Sequence, residues 1–205
     1  MKRCALLFVL LGGCQTYGAF NQPDTLPAGG IRLGFSGQYD QFRASDERIT
    51  SPDFVPSLGL GLTDATELDL LIGGAVAEAR IKHALFTPGT FALAAEGGLG
   101  FFTAYSSHST AFYAPLSLVA GVRPSDDVDV FLGPTAWAAA GLDPPMQEAG
   151  FNRGTFGLLA GGVAGVSLTS PSFVFCPQLE VLTPVLSGTQ GYVLQVSLGV
   201  GARVR

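Results

Sequence analysis

Apolar and polar residues alternate with a period of two along most of this chain, and that period limits what it can fold into. Ile31, Leu33, Phe35 and Tyr39 alternate with Arg32, Ser36, Gln38 and Asp40. Far along the chain, Tyr192, Leu194, Val196, Leu198 and Val200 alternate with Gln195, Ser197 and Gly199. Between them, Glu67 and Asp69 oppose Leu68 and Leu70, and Glu78, Arg80 and Lys82 oppose Ala79 and Ile81. Phe173, Phe175, Leu179 and Val181 alternate with Gln178 and Glu180 in the same way. Successive side chains of a β-strand point to opposite faces, so each stretch predicts a strand with one apolar and one polar face.

Turn residues cut the pattern into units. Thr63–Thr66, Thr87–Thr90, Pro124–Asp127 and Thr169–Ser172 are short and polar, as tight turns require. Longer or looser polar segments at 44–51, 106–109, 141–153 and 184–190 alternate with them, and Gly73-Gly74 marks one further connection. The expected strands cover roughly 30–43, 52–63, 66–73, 75–86, 91–105, 110–123, 127–139, 154–168, 172–183 and 190–203. Reading Gly73-Gly74 as a bulge lowers the count from ten towards eight. A rival reading makes Phe156–Leu168 a glycine-rich membrane helix, but it is shorter than the about 20 residues a spanning helix needs.

Charge decides how such strands are solvated. Asp, Glu, Lys and Arg make up 13 % of the residues and the mean hydropathy is +0.38, whereas soluble domains carry about 25 % charged residues. So few charges cannot cover a water-facing surface, which predicts that part of the surface faces lipid or another subunit. The net charge of −5 and pI of about 4.8 come with no basic patch, which excludes nucleic acid as an expected partner.

The N-terminus suggests an address. Lys2 and Arg3 precede a short apolar run to Leu11, the pattern of a secretory leader too short to span a bilayer. Leu11-Gly12-Gly13-Cys14 resembles a bacterial lipobox, in which small residues admit the peptidase and the cysteine thiol carries the lipid. The resemblance implies residues 1–13 as signal peptide, Cys14 as the lipidated residue, and 14–29 as a linker. Gln15 in place of aspartate implies sorting to the outer membrane. The alternative is an ordinary leader cut after Ala19, which Tyr17-Gly18-Ala19 fits poorly. With Cys14 acylated and Cys4 removed, Cys176 is left alone, so no disulfide framework is expected.

Residues 30–205 then resemble the small bacterial outer-membrane β-barrel families, such as the OmpA membrane domain and OmpW. The shared pattern is short turns at one end, longer loops at the other, and both termini at the short-turn end. It implies an all-β, up-and-down antiparallel transmembrane barrel. It also implies outer-membrane lipids, the barrel-assembly machinery and the lipoprotein-sorting machinery as partners. Arg32, Asp40, Glu67, Asp69, Glu78, Arg80, Lys82, Glu96 and Glu180 fall on the expected inner face. Charges packed there must pair with one another, forming a network that holds the barrel shut or, alternatively, lines a narrow path.

Other chemistry is thin. His83 and His108 are far apart, and with a lone cysteine they make no metal-site spacing; no cofactor or metal is expected. Ser106–Thr110 surrounds His108 on an expected outer loop, where a serine–histidine lipid hydrolase is a remote alternative to a non-enzymatic role. A second alternative is a lipid-anchored, soluble, lipocalin-like barrel with its apolar face inward, because alternation alone does not say which face is inside. Tyr39, Phe42, Phe54, Phe91, Tyr105, Phe112, Trp137, Phe173 and Tyr192 are candidates for interfacial girdles.

Overall fold

In a computed structural model of the chain, the structure describes residues 20–44, 47–73, 76–87, 89–104, 109–141, 156–185 and 191–204. Side chains are described for 20–37, 54–73, 76–87, 89–101, 112–140, 157–185 and 192–204.

Ten strands follow one another: β1 Ile31–Ala44, β2 Glu47–Thr63, β3 Thr66–Gly73, β4 Val76–Phe86, β5 Phe91–Ala104, β6 Ser109–Ser125, β7 Val128–Gly141, β8 Phe156–Thr169, β9 Phe173–Pro184 and β10 Gly191–Val204. Each pairs antiparallel with its neighbour in sequence, and β1 pairs with β10 from Ile31↔Val204 to Ala44↔Gly191 to close the barrel. Closure leaves no unpaired strand edge, the condition for placing a sheet in hydrocarbon. The Gly73-Gly74 break separates two strands, which settles the count at ten. Phe156–Thr169 is strand β8, not a helix; β-branched and small residues pair there with β7 over its whole length.

The alternation now has a direction. Phe54 is 76 % exposed beside Val55 at 0 %, and Leu99 is 73 % exposed beside the buried Gly100. Leu33, Phe35, Ile72, Leu116, Leu118 and Leu132 face outward with them, while Arg32, Ser36, Glu67, Lys82 and Ser117 are buried inside. An apolar wall of this extent far exceeds the few hundred Å² that a soluble monomer exposes. The lipocalin-like arrangement needs the opposite orientation and is set aside.

One end of the barrel carries the tight turns after β2, β4, β6 and β8, together with Ile31 and Val204. At the other end, the segment 44–51 is not the loose loop expected. β1 and β2 stay in register to Ala44↔Glu47, so only two residues connect them. Backbone pairing continues there although the alternation has faded, because the ladder needs only N–H and C=O groups.

Candidate functional site: the plugged lumen

The inner wall is built around glycines that let long side chains cross. Arg32 on β1 stands in register with Gly59 on β2, and Gly59 with Asp69 on β3. The Arg32 guanidinium passes over this bare backbone: Nη2 lies 2.5 Å from Asp69 Oδ1 and 2.7 Å from Glu67 Oε1. A Cβ on Gly59 would sit 2.9 Å from Asp69 Oδ1 and 3.1 Å from Arg32 Nη2. Lys82 on β4 extends the cluster, with Nζ 3.6 Å from Glu67 Oε2.

A second cluster surrounds Arg80. It pairs with Glu78 on its own strand and, through Nη1, with Glu96 Oε1 on β5 at 3.0 Å. Glu78 also accepts the Tyr113 hydroxyl at 2.5 Å, and the Tyr113 ring stacks on Trp137 with centroids 5.6 Å apart. Glu180 accepts a hydrogen bond from Thr135, which meets Ser117 at 3.0 Å. Each charge is out of bulk water, and pairing offsets a desolvation cost that would otherwise expel it.

Arg32, Glu67, Asp69, Glu78, Arg80, Lys82, Glu96 and Glu180 thus all lie in the lumen, at most 6 % exposed. The remaining inner-face candidate, Asp40, pairs in register with Gln195; its side chain lies outside those described, as do Cys14 and His108. Trp137 is 2 % exposed and belongs to the lumen rather than to a girdle. Its neighbours Ala136 and Ala138 take the outward positions of β7, so the strand's phase turns the indole inward. Phe54, Phe91, Phe112 and Phe173 do face outward. His83 is exposed, with Nδ1 2.9 Å from Thr66 Oγ1.

The segment before β1 enters the lumen. Residues 20–29 are read from sequence as part of a linker, but 20–23 and Leu26 are buried inside the barrel and 27–29 lie exposed at its turn end. Phe20, Asn21, Gln22 and Leu26 are each at most 2 % exposed. Phe20 joins Val119, Phe131, Val163, Val174 and Cys176 in an apolar cluster, and its ring lies 4.2 Å from the Arg32 Cζ. Lys82 Nζ donates to Phe20 O at 3.0 Å, and Arg80 Nη1 to Asn21 Oδ1 at 3.3 Å. Asn21 N donates to Gln178 Oε1, and Leu26 N to Glu67 Oε2 at 2.9 Å. Asp24 pairs with Arg123, which also holds Asp129 Oδ1 at 3.0 Å.

The wall makes room for this segment. Gly34, Gly199 and Gly201 on β1 and β10 face inward, and a Cβ at Gly34 or Gly199 would come within 3.1 Å of the Phe20 ring. A Cβ on Gly121 would sit 2.6 Å from Pro23 Cγ, and one on Gly61 would overlap the Pro27 carbonyl. Gly29 takes a φ of +76°, a conformation glycine adopts without steric cost. There the chain turns into β1, pinned by Gly29 N to Gly61 O and Gly61 N to Gly30 O, both 2.8 Å.

No protein-family model matches this chain, and no curated sequence is similar to it. Solved structures do share its architecture. An outer membrane channel from Pseudomonas putida F1 aligns with a TM-score of 0.51 at 9 % identity, over 91 % of this chain and 100 % of that one. The chain shares the closed antiparallel β-barrel fold of that outer-membrane protein. Neisserial surface protein A aligns with a TM-score of 0.44 at 12 % identity, over 85 % and 98 % of the two chains. The outer membrane protease OmpT of Escherichia coli aligns with a TM-score of 0.42 at 8 % identity, over 88 % and 99 %.

Proposed function

We propose that this chain is an outer-membrane lipoprotein whose barrel spans the bilayer and serves as a closed, non-enzymatic envelope component. The observation that carries this reading is the lumen filled by residues 20–26, which are hydrogen-bonded to charged groups of the wall. The apolar outer wall supports residence in hydrocarbon, with membrane lipids as its contacts. Insertion would call on the barrel-assembly machinery, and delivery on the lipoprotein-sorting machinery.

Cys14 is the proposed lipid site. It stands six residues ahead of Phe20, and six extended residues reach about 20 Å.

Fractionation tests both halves. A Cys14→Ala variant carrying a standard cleavable signal peptide cannot be acylated. It is expected to stay in the outer-membrane pellet through an alkaline carbonate wash, while the unaltered chain, unlike the variant, incorporates labelled palmitate. Release of the variant into the soluble periplasmic fraction would overturn the spanning barrel. Absence of label from the unaltered chain would overturn the anchor alone.

A further inference from the structure

We infer that residues 20–26 are a displaceable plug over a cation-permeable path, so that the closed barrel is one state of a gated pore. This rests on the outer-membrane reading above and adds a regulation to it.

Three observations carry it. First, the wall charges that hold the segment are paired without it. Arg32 keeps Glu67 and Asp69, Arg80 keeps Glu78 and Glu96, Lys82 keeps Glu67, and Arg123 keeps Asp129. Withdrawal of the segment leaves none of these cations without a carboxylate.

Second, the segment does not belong to the sheet. The backbone-to-backbone hydrogen bonds that join it to the strands are those of Gly29 and Gly30 with Gly61, just past its end, and Phe20, Asn21 and Leu26 bond only to wall side chains. Above them it is held by side chains, and both amide atoms of the buried Gln22 side chain lack a hydrogen-bond partner.

Third, the floor beneath Phe20 is bare. Gly34 of β1 and Gly199 of β10 face the lumen, and the Phe20 ring lies over both. Removing Phe20 uncovers these two glycines beside a charged wall. Farther from the turn end, the Tyr113 ring lies directly against Gly100, where a Cβ would collide with it, so this ring follows the wall instead of crossing the lumen. The buried charged groups described are six carboxylates, including Asp129, against the three basic groups Arg32, Arg80 and Lys82. Such a lining favours cations.

The test is conductance in planar bilayers bathed in KCl. The full chain is compared with a variant of equal length carrying Phe20→Gly, Asn21→Ser, Gln22→Gly, Pro23→Ser, Asp24→Gly and Leu26→Gly. Heat-modifiable migration and protease resistance in vesicles establish that each has inserted and folded. The expected result is a silent full chain and a variant with stable current steps, K⁺ passing several-fold better than Cl⁻. A folded, silent variant overturns the inference, and so does a full chain that already conducts steadily. If that variant does not fold, Gly121→Leu leaves the segment's sequence intact and drives a side chain into Pro23; it is expected to show repeated openings where the full chain is silent. Failure of both variants to fold would make the segment a structural strut and also overturn the inference. Failure of the full chain itself to enter vesicles is a different result, because it removes the outer-membrane reading beneath this one.

Discussion

Arg32 reaches Asp69 across the bare backbone of Gly59, with Nη2 and Oδ1 2.5 Å apart and one strand between them. The same guanidinium holds Glu67. One cation therefore neutralises two buried carboxylates on a strand that is not its neighbour. Replacing it with the similarly long but uncharged Arg32→Met leaves both carboxylates in the lumen with only Lys82 nearby. Breaking a buried pair in this way costs about 3–5 kcal/mol. Urea unfolding from lipid vesicles should show a clearly lowered midpoint, with Arg32→Lys in between because it keeps the charge and loses the fork. An unchanged midpoint for Arg32→Met would mean that water already solvates the pair.

Gly59 should matter for the same contact. A Gly59→Val side chain meets Asp69 and Arg32 at their interacting atoms, and overpacking of this kind costs about 1–3 kcal/mol. In the Arg32→Met background the guanidinium is gone, so the added cost of Gly59→Val should shrink. A double-mutant cycle measures this directly; strictly additive losses would show that the glycine serves the backbone and not the crossing side chain.

Leu116 lies in the middle of β6 and is 64 % exposed on the outer wall. If lipid covers it, Leu116→Arg should destabilise the barrel by about 2–4 kcal/mol in bilayers. Leu62, beside the β2–β3 turn, should tolerate arginine with a loss of about 0–1 kcal/mol. Equal, negligible costs at both positions would be the behaviour of a wall facing water.

Trp137 is the single tryptophan, which makes it a clean probe. It is buried in the lumen against Tyr113. Bromine atoms placed along the acyl chains should leave its emission nearly unquenched. Strong quenching, greatest for bromines near the headgroups, would return it to the interfacial girdle.

Much of this architecture was legible because the strand period is simple. The turns after β2, β4, β6 and β8 and the sharing of one face by Glu78, Arg80 and Lys82 follow from alternation and polar breaks, while the shortage of charge is what points that face inward. Trp137 was misplaced because its nearness to a strand end was weighed above the phase of its own strand. The β1–β2 connection was drawn too long because polar residues on both faces look like a loop while the backbone still pairs.

The plug was missed for a different reason. Phe20-Asn21-Gln22-Pro23 has no period, since an irregular segment takes its conformation from the walls around it. Its trace lay instead in the glycines at 34, 61 and 199, whose missing side chains leave room for Phe20 and Pro27. Protein interiors are close-packed, so a sector without side chains asks for something to fill it. That question can be put only once β10, β1 and β2 are known to be neighbours, and adjacency across the closing pair is not written in any local pattern.

The seat of Phe20 has a consequence for assembly. Its ring rests on Gly34 of β1 and Gly199 of β10, the two strands whose pairing closes the barrel. Half of that seat belongs to the second strand of the chain's last hairpin, so it does not exist until that hairpin has docked. An arrested or misregistered barrel would leave the phenylalanine without a home and its segment loose. The ring of Phe20 is in effect a proofreader of completion, retained only when the two ends of the sheet have found each other.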